Sequence, residues 1–201
     1  MPLVTDLDGT LVATDILFEG ALSVFRRTPW VLPQFAVWCC RGRAVLQAEI
    51  AARCALDASN LSYRREIVEY LRAERIDGRR IVLASAAHRF TADAVAEYLG
   101  LFDLVLATSG FVNLKGARKR DELIIRFGAR GFDYIGDSRA DTPVWAACRV
   151  GYIVGRMRRL PDSSLAARAL QGRTFSFPAP KAKTWLRAIR IHQWTKNLLV
   201  S

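Results

Sequence analysis

The chain has 201 residues, of which 51% are apolar and 24% are charged, and its net charge is +11. This composition is typical of a globular protein and excludes a disordered tail, a collagen-like rod and a small disulfide scaffold. The charge is unevenly distributed, because eleven Lys and Arg residues but a single acid follow residue 148. A nearly neutral body with a basic C-terminal segment is typical of a protein that docks on nucleic acid or on anionic lipid.

The cysteines and the N-terminus indicate a reducing, cytoplasmic setting. The four cysteines form no C-x-x-C pair, so we expect neither a zinc site nor a disulfide framework. The first residues lack the basic region of a signal peptide. The longest apolar run, residues 29–40, is too short to span a bilayer, so we expect no transmembrane segment in this chain.

Hydrophobic periodicity predicts an α/β protein with a helical insertion. A buried strand is predicted at residues 3–7, followed by helices at 16–25, at 30–40, at 45–55 and from Ser62 onward. Further strands are predicted at residues 80–84, 103–107, 132–135 and 151–154, and helices at 91–99, 116–127 and 139–148. Residues 174–180 are predicted to form a final strand and a linker. The alternation predicts a three-layer, Rossmann-like parallel sheet with a helical cap inserted after the first strand.

We divide the chain into three parts on this pattern. Residues 1–14 and 73–178 form the core domain, residues 15–72 form the helical cap, and residues 179–201 form a basic linker.

Two acidic motifs follow predicted strands. Asp6 and Asp8 lie in the sequence D-L-D-G-T, where the glycine and threonine favour a tight turn whose backbone N–H groups face an anion. Asp137 and Asp141 lie four residues apart in G-D-S-R-A-D and share one side of a starting helix. Because ligands bind at the carboxyl ends of parallel strands, and because clustered carboxylates without His or Cys suit a hard cation, we expect a magnesium site there.

Two further residues gain meaning only in combination with these motifs. Ser85 follows the strand predicted at residues 80–84, and Lys115 precedes the helix predicted at residues 116–127. Taken alone, the serine is equally well explained as a helix cap and the lysine as a solvated side chain.

Taken in order, the four motifs resemble those of the haloacid dehalogenase superfamily of phosphohydrolases over residues 3–154, and the insertion resembles the cap of its phosphoserine phosphatase branch. The resemblance implies that Asp6 is a nucleophile that forms an aspartyl-phosphate and that Asp8 is the general acid and base. It implies Mg²⁺ held by Asp6, Asp137 and the backbone carbonyl of Asp8. Ser85 and Lys115 would bind the remaining phosphate oxygens.

The resemblance also implies supporting roles around the phosphate. Gly9, Thr10 and Ala86 would line the phosphate site, and Asp141 would orient the lysine or the metal ligands. Lys119 competes for the lysine position, but we assign Lys115 because its distance in sequence from Asp137 is closer to the family's usual spacing.

Two residues are weaker candidates for contacts with substrate. Glu19 lies in the first cap helix, where related phosphatases place a substrate-contacting acid, but it is equally well an ordinary exposed glutamate. His88 follows the motif serine and is either a ligand contact or a loop histidine.

The C-terminal segment carries a second resemblance. Residues 186–200, L-R-A-I-R-I-H-Q-W-T-K-N-L-L-V, are similar to the opening of the first membrane helix of UbiA-type prenyltransferases. This implies a domain on the cytoplasmic side of the membrane, fused to a prenyltransferase that lies beyond Ser201. The basic residues of 179–201 would then bind an anionic membrane surface.

The leading hypothesis is therefore a magnesium-dependent phosphatase domain that acts on a sugar phosphate or a prenyl-linked phosphate. One alternative is a catalytically silent domain that regulates the prenyltransferase. A nucleic-acid-binding module is a remote alternative that only the charge suggests, and we expect no nucleic acid partner.

Overall fold

A parallel sheet forms the centre of the protein. The structure is a computed structural model that describes residues 1–53, 57–109, 113–155 and 174–175. The strands of this part are β1 (Leu3–Thr5), β2 (Ile81–His88), β3 (Leu104–Thr108), β4 (Asp133–Gly136), β5 (Gly151–Val154) and β6 (Thr174–Phe175). Their order in the sheet is β3-β2-β1-β4-β5-β6, and all neighbours are parallel. The predicted Rossmann-like α/β fold is confirmed.

Helices connect these strands. They are α1 (Ile16–Arg27), α2 (Leu32–Cys40), α3 (Arg43–Arg53), α4 (Arg65–Ile76), α5 (Arg89–Leu99), α6 (Ala117–Phe127) and α7 (Thr142–Ala147). Short 3-10 turns lie at Pro29–Val31, Ala58–Asn60 and Arg139–Asp141. The first four helices lie between β1 and β2, where the sequence predicts a helical insertion.

The two faces of the sheet are buried by different helices. Successive strand residues point to opposite faces. Leu3 and Ile81 therefore share one hydrophobic cluster with residues of α4 and α5, while Val4 and Val82 share another with residues of α6 and α7. The result is the predicted arrangement of three layers, helix–sheet–helix.

The insertion has a small hydrophobic cluster of its own. Val24, Val31, Trp38 and Ile50 pack together in α1, the following 3-10 turn, α2 and α3. By contrast, Leu71 of α4 belongs to the cluster on the sheet. The predicted cap boundary at residue 72 thus falls within α4, and the helices that pack around a separate cluster are α1 to α3.

Two sequence expectations concern membranes. No helix within the described ranges is long and apolar enough to cross a bilayer. The predicted basic linker at 179–201 lies outside the described residues.

Strand order determines where a ligand can bind. After β1 the chain builds β2 and β3 on one side and then returns to place β4 on the other side of β1. Such a reversal opens a crevice at the carboxyl ends of the two central strands, which is the usual ligand site of open α/β sheets. Asp6 follows β1 and Asp137 follows β4, so both acidic motifs lie at this crevice.

Candidate active site

Three carboxylates meet at the crevice. Asp6, Asp137 and Asp141 each offer one oxygen, and these oxygens lie within 4.8 Å of one another. They border a cavity of about 280 Å³ whose lining also includes Asp8, Gly9, Ala86, Lys115 and Lys119. The structure thus brings together residues that are more than 130 positions apart in sequence.

A buried lysine contacts this acidic cluster. Lys119 is only 2% exposed, and its Nζ lies 2.9 Å from Asp6 Oδ1 and 3.7 Å from Asp141 Oδ1. A charged amine is rarely buried unless it is paired. The two carboxylates therefore explain how the cation can be accommodated beneath the cavity.

The two candidate lysines both border the cavity but lie in different environments. Lys115, which residue spacing favours, is exposed, whereas the ion pair to Asp6 among the described residues is made by Lys119. Gly116, with φ of +58°, turns the chain just before α6. Lys119 then lies on the buried side of that helix with Leu123, one turn further on, and its amine reaches Asp6.

Tyr134 completes the buried network, and the sequence analysis did not identify it. Its hydroxyl accepts a hydrogen bond from Lys119 Nζ at 3.1 Å and donates one to Asp141 Oδ1 at 2.7 Å. Tyr134 is fully buried in β4 and precedes Asp137 by three residues. In the sequence it looks like an ordinary core aromatic of a buried strand, so no sequence signal marks it as part of the site.

Asp141 is held from its other side by the start of the following turn. Its Oδ2 accepts hydrogen bonds from the Ser138 N–H and hydroxyl, both at 3.2 Å. These contacts form a capping box at the start of the 3-10 turn, and the helix predicted at 139–148 is in fact this turn followed by α7. One oxygen of Asp141 is thus held by Ser138, while the other contacts Tyr134 and Lys119.

Burial and mutual repulsion raise the pKa values of Asp6 and Asp137. Desolvation, together with the charge of Asp141, outweighs the attraction of Lys119 and raises the pKa of Asp6 to about 7. Desolvation and Asp141 also raise the pKa of Asp137 to about 6. Burial by itself would lower the pKa of Lys119, but the carboxylates of Asp6 and Asp141 raise it, so the amine remains charged.

The loop after β1 is shaped to bring the two acidic motifs together. Gly9 has φ of +74°, and a Cβ at this position would collide with the Asp137 carboxylate. Thr10 Oγ1 donates a hydrogen bond to Asp137 Oδ1 at 3.3 Å. Arg64 Nε donates to the Gly9 carbonyl at 3.1 Å and so ties the loop to the chain that returns from the insertion.

Asp8 connects this loop to the cap. Its Oδ1 accepts a hydrogen bond of 3.0 Å from the N–H of Ile16, the first residue of α1. Asp8 also borders the cavity, so its carboxyl group is positioned between the cap and the acidic cluster.

Ser85 differs from its predicted placement. The strand β2 continues to His88, so Ser85 lies within the strand and is completely buried. Its Oγ accepts a hydrogen bond of 2.9 Å from the Ala87 N–H, and the neighbouring Ala86 borders the cavity in its place. The strand extends further than predicted because His88 still pairs with Thr108 of β3, although the register is irregular between Ser85 and His88.

Of the two weaker substrate candidates, the structure describes the side chain of His88 but not that of Glu19. His88 packs its ring against Phe90, with ring centroids 5.2 Å apart, and it is not among the residues that line the cavity. Glu19 lies within α1, but its side chain is outside the described residues.

The donor set of the cluster fits a hard divalent cation. The ligand atoms that Asp6, Asp137 and Asp141 offer are all carboxylate oxygens. Magnesium prefers such ligands, and a divalent charge would offset the repulsion that raises the pKa of Asp6 and Asp137.

Comparisons with known proteins agree with this geometry. The family of haloacid dehalogenase-like hydrolases (HAD) matches residues 3–146. The chain is 36% identical over its whole length to the uncharacterized protein y4nM of Sinorhizobium fredii, and it spans 39% of that longer protein.

Two solved structures share the fold at low sequence identity. A protein of unknown function from Bordetella pertussis Tohama I has a TM-score of 0.57 at 16% identity, over 87% of this chain and 97% of its own. Phosphoserine phosphatase in its apo form has a TM-score of 0.55 at 14% identity, over 86% of this chain and 92% of its own.

Proposed function

The chain belongs to the haloacid dehalogenase-like hydrolase family, and we propose that it is a magnesium-dependent phosphatase that forms an aspartyl-phosphate on Asp6. The observation that carries the proposal is the contact between Asp6 and the buried Lys119 at the base of an open cavity. A carboxylate beside a fixed cation, with two more carboxylates within ligand distance, suits phosphoryl transfer, which depends mainly on positioning and charge neutralisation.

The reaction assigns one role to each residue at the cavity. A free carboxylate oxygen of Asp6 attacks phosphorus, the bond to the leaving oxygen breaks, and Asp8 donates a proton to that oxygen. Asp8 then accepts a proton from the water that attacks the aspartyl-phosphate, which releases inorganic phosphate and restores Asp6. Lys119 stabilises negative charge on the phosphate oxygens, and Tyr134 and Asp141 hold its amine in place.

A metal ion would add to this charge neutralisation. Asp6 and Asp137, with the Asp8 carbonyl, would hold Mg²⁺, which supplies positive charge to the phosphate when bound.

We further propose a phosphorylated sugar or a prenyl-linked phosphate as substrate and a fusion to a UbiA-type prenyltransferase. The similarity of residues 186–200 to the start of such a membrane domain supports the fusion. The length of the relative y4nM leaves room for a second domain. On this proposal the phosphatase domain lies on the cytoplasmic side, where residues 179–201 bind the anionic membrane surface.

The test is phosphate release by the purified chain from an aryl phosphate and from a panel of sugar, phosphoribose and prenyl phosphates. Activity should require Mg²⁺, and Asp6→Asn should abolish it, because an amide is a far poorer nucleophile and metal ligand. Asp121→Asn, an exposed aspartate on α6, is the matched control and should retain full turnover.

Two outcomes would contradict the proposal. Near wild-type turnover by Asp6→Asn would exclude the covalent mechanism. Magnesium binding without turnover of any phosphate would favour the silent, regulatory alternative.

A further inference from the structure

Helix α2 is apolar on both of its sides. Towards the cap interior, Val31 and Trp38 are buried in the small hydrophobic cluster. The opposite side is also apolar but exposed, and we call it the α2 outer face, which consists of Trp30, Pro33, Ala36, Val37 and Cys40. A helix that is apolar all round is normally buried on all sides, so we expect another surface to bind this face.

The α2 outer face is a continuous stripe. Positions 33, 36, 37 and 40 follow the spacing of one helical face, and Trp30 extends the stripe by one turn at the N-terminal end. Trp30 is 88% exposed and Val37 is 49% exposed. An exposed tryptophan and an exposed valine two turns apart on one apolar stripe are typical of a binding surface rather than of scattered surface residues.

The charge around α2 indicates what covers this face. Residues 20–48 include four arginines, at positions 26, 27, 41 and 43, and no acid. Along the chain, two of them precede α2 and two follow it, so basic residues flank the helix on both sides in sequence. Arg41, directly after the helix, is exposed. Arginines beside an apolar stripe with tryptophan at one end complement a surface that is apolar inside and negatively charged at its headgroups.

We propose that the α2 outer face docks the cap on an anionic lipid surface. The helix lies in the plane of the interface, Trp30 and Val37 enter the boundary between headgroups and acyl chains, and Arg41 contacts lipid phosphates. This surface is distinct from the C-terminal segment and does not depend on the proposed phosphatase activity. A protein partner is the less suitable occupant, because Gln34 is the one polar side chain within α2.

The experiment measures partition of the 201-residue chain onto vesicles. Vesicles of phosphatidylcholine alone are compared with vesicles that also contain phosphatidylglycerol. We expect binding to the anionic vesicles that weakens with salt, and a loss of at least about tenfold in the double variant Trp30→Ser, Val37→Gln. The matched control is Ile125→Gln, since Ile125 is 80% exposed on α6, and it should bind within about twofold of wild type. Thermal melts verify that each variant is folded.

A second measurement identifies the side chain that enters the lipid. Brominated lipid should quench part of the tryptophan emission of the wild type, and Trp30→Phe should bind equally well but lose that part of the quenching. Unchanged vesicle binding by the double variant would overturn the proposal, because another surface would then carry the binding. Equal binding to neutral vesicles would also overturn it. A dimer in sedimentation that the double variant abolishes would assign the face to a second copy of the chain instead.

Discussion

Replacing Lys119 by methionine is the sharpest test of the proposed site. Methionine retains much of the length and apolar volume of lysine but removes the charge that lies 2.9 Å from Asp6 and 3.7 Å from Asp141. The matched variant is Lys115→Met, which removes the same charge from the mouth of the same cavity.

Two consequences follow from the burial of this amine. Removal of one electrostatic group that stabilises a transition state typically lowers kcat by about 10²- to 10³-fold, and we expect at least that loss for Lys119→Met. We expect less than about tenfold for Lys115→Met, because its amine is exposed to water and interacts more weakly. Breaking a buried ion pair from one side also costs about 3–5 kcal/mol of unfolding free energy.

The stability loss should depend on pH in a defined direction. The native pKa of Asp6, about 7, is above its ordinary value of 3.8, so the native protein retains a proton that the unfolded chain releases. Stability from this group therefore falls as pH rises from about 4 to about 7. Lys119 lowers the pKa of Asp6, so removal of the lysine should raise that pKa further. The decrease in stability should then continue to a higher pH than in the wild type. The difference in unfolding free energy between wild type and Lys119→Met should be larger at pH 8 than at pH 5.

Steady-state kinetics with an aryl phosphate and urea unfolding at both pH values measure these effects. The reasoning is refuted if Lys119→Met retains activity while Lys115→Met loses more than a hundredfold. That result would return the catalytic role to the lysine that sequence spacing favours. A stability loss that is independent of pH would refute the coupling between Lys119 and Asp6.

Three further predictions concern Tyr134, Asp133 and the proposed magnesium ligands. Tyr134→Phe removes the hydroxyl between Lys119 and Asp141. We expect kcat to fall about tenfold with little change in KM, because one hydrogen bond to a charged group is lost. An unchanged kcat in steady-state assays would count against a positioning role. Asp133→Asn removes the charge of a fully buried carboxylate that pairs with Arg79 and Arg149 at the opposite end of β4. Urea unfolding should show that the free energy of unfolding decreases by about 3 kcal/mol, while kcat should be unchanged. Magnesium affinity, measured by calorimetry, should weaken as pH falls from 8 to 6. With pKa values of about 7 for Asp6 and about 6 for Asp137, these carboxyl groups are increasingly protonated over that range and must release protons when the metal binds. Constant affinity between pH 8 and pH 6 would exclude this pair as ligands.

The sheet and the meeting of the acidic motifs could be predicted from sequence because both follow from short-range patterns. Buried strands with β-branched residues, separated by amphipathic helices, allow few arrangements other than a parallel sheet. Asp6 and Asp137 each follow such a strand directly, so their proximity follows from the sheet. No knowledge of side-chain packing is needed for this step.

The positions of Ser85 and Tyr134 could not be predicted in the same way. The end of β2 depends on whether β3 provides a partner for residues 85–88, and the pairing in fact becomes irregular there. Tyr134 reads as an ordinary core aromatic of a buried strand, and only the three-dimensional position of Lys119 makes its hydroxyl part of the site. Both features are set by contacts between segments that are distant in sequence.

The two candidate lysines are favoured by two different sequence signals. Counting residues from Asp137 favoured Lys115, but such a count ignores where a helix begins and which side it buries. Lys119 lies four residues before Leu123, and the two share the buried side of α6. A lysine in the apolar stripe of an amphipathic helix needs a buried anion to compensate its charge. With Asp6 and Asp137 expected at the same edge of the sheet, that anion was available, so hydrophobic periodicity favours Lys119 where residue spacing favours Lys115.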